Sequence, residues 1–111
     1  MWERVDYPEY AFKLCHGVIN NDIDLGIVIC KTGIGVSIAS NKVKGIRCAK
    51  IDNEIDAKYS KCHNNANVLA FTAHKPAEEI VKLIEIFISN TFEGDRHQTR
   101  LNMITEYENA N

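Results

Sequence analysis

The chain has 111 residues, and its 45% hydrophobic and 25% charged residues are typical of one globular domain spanning residues 1–111. The formal net charge of −2 offers no basic surface for nucleic acid or for an anionic membrane. No apolar run approaches the length that spans a bilayer, and the first six residues contain no apolar signal core, so we expect a cytoplasmic protein.

The first third of the chain predicts a helix followed by a strand. Asp6 can cap a helix and Pro8 fits its first turn, and apolar residues then recur at helical spacing until about residue 20. Residues 25–30 (LGIVIC) form a short run rich in β-branched side chains. This run is typical of a strand buried on both faces, as in parallel sheets.

The middle of the chain continues the alternation of helices and strands. After a glycine-containing break, residues 36–43 are expected to be helical, and residues 46–51 are a second strand candidate. Residues 54 to about 63 predict a polar helix, which Asn53 or Asp52 can cap.

The last third predicts one strand and two helices. Residues 67–71 are the third strand candidate, Pro76 opens a strongly amphipathic helix, and residues 96 to about 107 form a final, more polar helix. The apolar stripe predicted for the amphipathic helix consists of Ile80, Val81, Ile84, Phe87 and Ile88. The resulting order α-β-α-β-α-β-α-α predicts an α/β fold with a parallel sheet and right-handed crossovers.

Four cysteines are spaced too irregularly for a metal-binding or redox motif. They occupy positions 15, 30, 48 and 62, and no pair has CxxC spacing. A disulfide framework is not expected in a cytosolic chain that can build its own core. We therefore expect Cys15 and Cys48 to be small buried residues.

The strongest local signal is the segment CKTGIG at residues 30–35, between a predicted strand and a predicted helix. In an open α/β sheet, ligands bind beyond the carboxyl ends of the strands, where loop N–H groups and the helix dipole favour an anion. Cys30 would be stabilised there as a thiolate. The simpler interpretation is a tight turn that needs glycine, with Cys30 as the last core residue. The spacing alone slightly favours this simpler interpretation, because short glycine loops are common.

Several ordered segments resemble the ribose-5-phosphate isomerase B family, which is related to allose- and galactose-6-phosphate isomerases. The match extends from about residue 4 to residue 104. The segments that carry it are residues 6–10 (DYPEY), 26–41 (GIVICKTGIGVSIASN), 42–47 (KVKGIR), 60–70 (SKCHNNANVLA) and 92–100 (FEGDRHQTR). The resemblance implies a Rossmann-like parallel sheet between helices, and isomerisation of an aldose phosphate to a ketose phosphate through an enediolate, without metal or cofactor.

The resemblance also assigns roles to residues. Cys30 matches the family's base, and Thr32 with the following loop matches the hole that stabilises the enediolate oxygen. His63 matches the ring-opening histidine and Asn64 a contact to substrate hydroxyls, while Tyr7 is a candidate to line the pocket. The loop N–H groups that match the anion hole belong to Gly33, Ile34, Gly35 and Val36.

A phosphate grip and a shared site are further implications of the resemblance. Arg96 and Arg100 match the residues that hold phosphate, and their spacing of four puts both guanidinium groups on one helix face. The family's pocket draws residues from two subunits, so the expected partners are a sugar phosphate and a second copy, in a homodimer or homotetramer. Without the ordered match, each of these side chains would more often be a surface or loop residue.

The sequence departs from the family's pattern at three places. The family begins with a strand ending in Asp-His and a helix, for which we find no counterpart here, so we expect marginal solubility or tight association, or else an impaired sugar-phosphate-binding subunit. Lys31 stands where the family has glycine, and it is either strained or a charge that favours the Cys30 thiolate or phosphate. His74 stands where the family has a phosphate-binding arginine.

Overall fold

The computed structural model of the protein describes residues 6–111; residues 1–5, where no signal core was expected, lie outside that range. The predicted order of elements is confirmed over the described residues. The elements are α1 (Tyr7–Ile19), β1 (Gly26–Cys30), α2 (Ile34–Ser40), β2 (Cys48–Lys50), α3 (Glu54–Cys62), β3 (Val68–Thr72), α4 (Ala77–Ser89) and α5 (Arg96–Ala110).

The three strands form a parallel sheet in the order β1-β3-β2, which confirms the predicted α/β class. In the register of β1 and β3, Gly26 pairs with Val68 and Cys30 pairs with Thr72. The carboxyl ends of β1 and β3 therefore lie at the same edge of the sheet. In this range β3 is the central strand, and β1 and β2 lie at its sides.

Alternate side chains of β3 enter two separate cores, one on each face of the sheet. Leu69 and Phe71 pack with the α3 and α4 residues Ala57, Leu83 and Phe87. On the other face, Val68 and Ala70 pack with Cys15 of α1, Val28 of β1 and Val36 of α2. The helices thus cover both faces, as the buried third strand requires.

Strand β1 is only partly buried, and this differs from the prediction. Gly26 and Val28 are buried, but Ile27 is half-buried and Ile29 is 43% exposed. Because β1 is a side strand of the described sheet, the helices that cover β3 do not reach over Ile29. The prediction of a strand buried on both faces is therefore wrong for this residue.

The helix starts differ in how they are capped. The Asn53 side chain accepts a hydrogen bond from the Asp56 N–H at 2.8 Å, which confirms one of the two predicted caps of α3. Asp6 precedes α1, but its side chain makes no capping hydrogen bond. Helix α2 begins at Ile34, two residues earlier than predicted, because Gly33 ends the preceding turn at φ 78°.

The buried stripe of α4 is narrower than predicted. Ile80 and Phe87 are buried together with Leu83, which the predicted stripe omitted. Val81 and Ile88 are 53% and 63% exposed. The apolar pattern covers more of the helix surface than α3 and the sheet can cover, so the prediction is wrong for these two residues.

The four cysteines differ in burial, and the helices differ in how much apolar surface they expose. All four cysteines are free; Cys15 is buried as expected, whereas Cys48 is half-buried. Among the described residues, no helix combines the length and the apolar character needed to cross a bilayer. Helix α5 buries His97 and Leu101, while Met103, Ile104 and Tyr107 on it are at least half exposed.

Candidate functional site

Cys30 lies at the carboxyl end of β1, where the loop to α2 turns its N–H groups toward the sulfur. The Gly33 N–H donates to Sγ at 3.2 Å. Burial alone would raise the pKa of the Cys30 thiol, but the N–H groups of Val36, Gly33, Thr32 and Gly35 outweigh burial and hold that pKa below its usual value. The loop therefore favours the thiolate over the neutral thiol.

Gly33 is required at its place in this loop for two reasons. Its φ of 78° lies in the left-handed region, which side chains disfavour. A Cβ atom there would lie 2.9 Å from the carbonyl carbon of Phe71 and 3.1 Å from the backbone nitrogen of Thr72. The backbone of β3 cannot easily yield, because it is the centre of the sheet. The loop thus passes as close to β3 as a glycine allows.

Thr32 and Lys31 complete the turn after the cysteine. Thr32 Oγ1 accepts a hydrogen bond from the Ile34 N–H at 3.2 Å, and Thr72 Oγ1 donates to the Lys31 carbonyl at 2.7 Å. Lys31 is not among the residues with positive φ, so the proposed backbone strain at this position is wrong. The groups that lower the pKa of Cys30 are backbone N–H groups and do not include the Lys31 ammonium.

Tyr7 packs directly on the loop. A Cβ atom on Gly35 would lie 2.7 Å from Cζ and 2.8 Å from the hydroxyl oxygen of Tyr7, so the ring fills the space that glycine leaves open. The Tyr7 side chain is 42% exposed and can contact a ligand at the loop. Nearby, burial and the charge of Cys30 raise the pKa of Tyr10, whose hydroxyl donates to the Ile29 carbonyl at 3.5 Å.

A second group of predicted residues gathers where α3 ends and α5 begins. His63 is the C-cap residue of α3, and its ring stacks on that of His97 in the first turn of α5, with centroids 4.1 Å apart and planes 12° apart. This contact brings His63 close to the predicted phosphate-binding residues Arg96 and Arg100, both exposed on α5. Asn64 follows His63 and is exposed.

The structure does not bring the two groups together within one chain. His63 ends the helix that precedes β3, and the Ala66 N–H donates to the Ser60 carbonyl at 2.9 Å just before that strand begins. The second group therefore lies at the amino end of the parallel sheet, whereas Cys30 pairs with Thr72 at the carboxyl end. The five residues of β3, at about 3.3 Å each, separate the two ends.

Two side chains beside His63, those of Glu93 and His97, are not among the site residues predicted from the sequence. His97 is buried, with 6% of its surface exposed. Its Nε2 atom has no hydrogen-bond partner among the described residues. Glu93 Oε1 lies 3.5 Å from His97 Nε2 and 3.8 Å from His63 Nε2. Both residues lie within residues 92–100, one of the segments that resemble the isomerase family. That resemblance was the only sequence feature that could have pointed to them.

The same three side chains are the one group of metal-ligand type found among the described residues, with donor atoms within 4.8 Å of one another. The two imidazole planes are nearly parallel, so their lone pairs lie in two separate planes. They cannot both point at one ion unless a ring tilts. The arrangement therefore suits hydrogen bonding and proton transfer better than metal coordination.

The surroundings of the remaining residues complete the site. Asn64 lines a cavity of about 450 Å³ together with Arg47 and Leu101. His74 is exposed beyond β3, near the Cys30 loop, since the preceding Ala73 N–H donates to the Cys30 carbonyl at 2.8 Å. Side chains that can donate a hydrogen bond to phosphate thus lie at both ends of the sheet.

Comparisons with known proteins place the chain among sugar-phosphate isomerases. The family model described as Ribose/Galactose Isomerase matches residues 2–104. The chain is 44% identical over 105 residues to a probable ribose-5-phosphate isomerase B of Mycoplasma genitalium, with 93% of the chain and 69% of the relative covered. It is 42% identical over 107 residues to ribose-5-phosphate isomerase B of Escherichia coli, with 96% and 72% covered.

A solved structure matches the whole fold. The crystal structure of ribose-5-phosphate isomerase B from Mycoplasma genitalium with bound ribulose 5-phosphate superimposes with a TM-score of 0.92 at 41% identity. The match covers 100% of this chain and 74% of that chain. The similarity therefore extends over both groups of site residues.

Proposed function

The chain belongs to the Ribose/Galactose Isomerase family, and we propose that it interconverts ribose 5-phosphate and ribulose 5-phosphate through an enediolate. The single observation that carries this proposal is the Cys30 loop, in which four backbone N–H groups lower the pKa of a cysteine at the carboxyl end of β1. A thiolate held beside a hole of N–H groups supplies a base and a stabiliser for the developing oxyanion.

The proton transfer uses the two parts of this loop. The Cys30 thiolate takes the proton from C2 of the open-chain aldose, and the electron pair moves to the carbonyl oxygen as the enediolate forms. The N–H groups of residues 33–36 and the hydroxyl of Thr32 stabilise that oxygen. Cys30 then returns the proton to C1 while the hydroxyl proton on O2 passes to O1, which gives the ketose with its carbonyl at C2 and restores the thiolate. Tyr7, packed on Gly35, closes the side of the pocket.

The second group opens the sugar ring and binds the phosphate. His63 donates a proton to the ring oxygen as the bond between C1 and that oxygen breaks, and Asn64 contacts the sugar hydroxyls. Arg96 and Arg100 project from the first turns of α5 and hold the phosphate oxygens. No metal or organic cofactor takes part in these steps.

The active unit in this proposal is a homodimer or a larger symmetric assembly. The two groups lie at opposite ends of one sheet, so a second copy must supply His63 and the arginines to each Cys30 loop. Exposed apolar side chains accompany both groups, and a two-fold contact would cover them. These residues are Ile34 and Ile38 on α2, and Met103, Ile104 and Tyr107 on α5. We place this assembly in the cytoplasm and its reaction in the pentose phosphate pathway.

The test is the appearance of ribulose 5-phosphate from ribose 5-phosphate, compared with the Cys30→Ala variant. Cys48→Ala is the matched control, because Cys48 is half-buried in β2 and burial raises its pKa to about 11. We expect turnover in the wild type and in Cys48→Ala, and loss of at least about a hundredfold in Cys30→Ala. Turnover that survives Cys30→Ala would exclude Cys30 as the base.

A further inference from the structure

His63 lies between two aromatic side chains and beside one carboxylate. The Tyr59 ring is 4.4 Å from the His63 ring by centroids, and the His97 ring stacks on it at 4.1 Å. Glu93 Oε1 lies 3.8 Å from His63 Nε2, and the Glu93 N–H donates to the Cys62 carbonyl at 3.0 Å. That backbone contact fixes the Glu93 main chain at the end of α3, next to His63.

The Glu93 side chain can reach both histidines with a small movement. It is 51% exposed, whereas the His97 side chain is 7% exposed and held in the first turn of α5. A shift of less than about 1 Å would bring its Oε1 within hydrogen-bond distance of either Nε2 atom. His97 Nε2 has no hydrogen-bond partner among the described residues, and Glu93 Oε1 at 3.5 Å is the acceptor placed to reach it.

We propose that Glu93 and His97 are positioning residues for His63, with the Glu93 carboxylate holding the Nε2–H of His63 so that Nδ1 transfers the proton in ring opening. This inference rests on the proposed function, in which His63 opens the sugar ring. Glu93 selects the tautomer, as carboxylates do beside catalytic imidazoles. His97 supports one face of the His63 ring and anchors the same carboxylate.

The lowered pKa of His97 agrees with its role as a positioning residue. Burial lowers the pKa of His97, and the neighbouring charges of His63 and Arg96 lower it further, while Glu93 opposes them. The lowered pKa of His97 favours its neutral form, so a second positive charge against the His63 ring is disfavoured. Among the described residues, the titratable and charged groups recorded around the stacked His63 and His97 rings are Tyr59 from α3, Glu93 from the loop, and Arg96 and Arg100 from α5.

The ring-opening step balances without any further reagent. The protonated His63 gives its Nδ1 proton to the ring oxygen, the bond between C1 and the ring oxygen breaks, and the anomeric hydroxyl releases its proton to water. His63 then regains a proton from water. This step interconverts the two anomers of ribose 5-phosphate and needs no base at C2, so it can be measured without isomerisation.

The test measures anomer exchange of ribose 5-phosphate by NMR in the Cys30→Ala chain, which keeps His63 but lacks the isomerising base. We expect this chain to accelerate exchange, and we expect addition of Glu93→Gln or His97→Gln to reduce the acceleration about tenfold or more. His97→Phe, which keeps a buried ring against His63 but loses the contact to Glu93, should restore part of it. His16→Gln is the matched control, because His16 is exposed on α1, which packs on the opposite face of the sheet from α3.

Each outcome of this test decides the inference. Full acceleration in both Glu93→Gln and His97→Gln would overturn it, as would a Cys30→Ala chain that does not accelerate exchange at all. Equal losses in His97→Gln and His97→Phe would leave the stacking without a role and overturn that part. The proposed function is tested separately, by measuring isomerisation of ribose 5-phosphate by the wild-type chain. Loss of anomer exchange and loss of isomerisation can therefore be told apart.

Discussion

Cys30 and His63 lie at opposite ends of the parallel sheet, separated by the length of β3, about 13 Å for four residue steps. A bound pentose phosphate cannot contact both side chains of one chain without bridging the sheet. Each nevertheless belongs to an organised group, one around a loop of N–H groups and one around the start of α5. The proposed isomerase needs both groups, one from each of two copies.

Selective alkylation should distinguish Cys30 from the other cysteines. Loop N–H groups lower the pKa of Cys30, whereas burial raises the pKa of Cys15 and raises that of Cys48 to about 11. The Cys30 thiolate should therefore form at lower pH, and iodoacetamide should modify Cys30 first near pH 7. Peptide mass spectrometry across pH 6–10 measures the order. Modification of Cys48 before Cys30 in the folded protein would contradict the account.

The approach of the loop to β3 can be tested at Gly33, with Gly94 as the matched control. Both residues have positive φ, 78° and 73°, but a Cβ on Gly94 meets nothing within 4 Å. We expect Gly94→Ala to cost about 1 kcal/mol of unfolding free energy from the backbone alone, and Gly33→Ala about 2 kcal/mol more. Urea unfolding measures both. Equal costs would mean that the close contact with Phe71 is absent in solution.

Asp95 offers a stabilising substitution at the start of α5. Its φ of 49° and ψ of −124° belong to a region that favours glycine. Asp95→Gly should relieve this strain and raise the unfolding free energy by about 1 kcal/mol, after the entropy cost of glycine. Asn21→Gly is the control, because asparagine tolerates the left-handed region that its φ of 64° indicates. A loss of stability in Asp95→Gly, seen in thermal unfolding, would argue that the Asp95 side chain stabilises the helix start.

The lowered pKa of His97 predicts how stability depends on pH. The unfolded chain binds this proton below about pH 6.5, whereas the folded chain resists binding it until a lower pH. The stability that His97 contributes is therefore fully present above about pH 6.5 and is lost as pH falls through the folded pKa. The melting temperature of His97→Phe should fall less between pH 7.5 and 5.5 than that of the wild type. A parallel fall in both would show that His97 is not the responsible group.

Much of the fold follows from local patterns in the sequence. The alternation of short β-branched runs with helical spacing predicts all eight elements in order, and Asn53 caps α3 because its side chain reaches the Asp56 N–H. Exposure is harder to predict. Ile29 and Ile88 are apolar by sequence yet exposed, because periodicity does not say how far neighbouring helices extend.

The candidate site also has a part that the sequence predicts and a part that it does not. The thiolate-stabilising loop at Cys30 is a local feature, in which the N–H groups lie within six residues of the sulfur, so the sequence could indicate it. The contact of His63 with Glu93 and His97 joins segments about thirty residues apart, and no local pattern predicts it. The separation of Cys30 from His63 depends on strand order, which becomes visible only in the folded chain.

The most direct test of a site shared between two copies is a hybrid dimer of one Cys30→Ala chain and one His63→Ala chain, isolated by two affinity tags after co-expression. If each site takes Cys30 from one chain and His63 from the other, one of the two sites in the hybrid is intact. The account therefore predicts about half of the wild-type isomerisation rate per dimer, while each variant alone is nearly inactive. A hybrid no more active than its parents would show that Cys30 and His63 of the same chain serve one site, and would contradict the account.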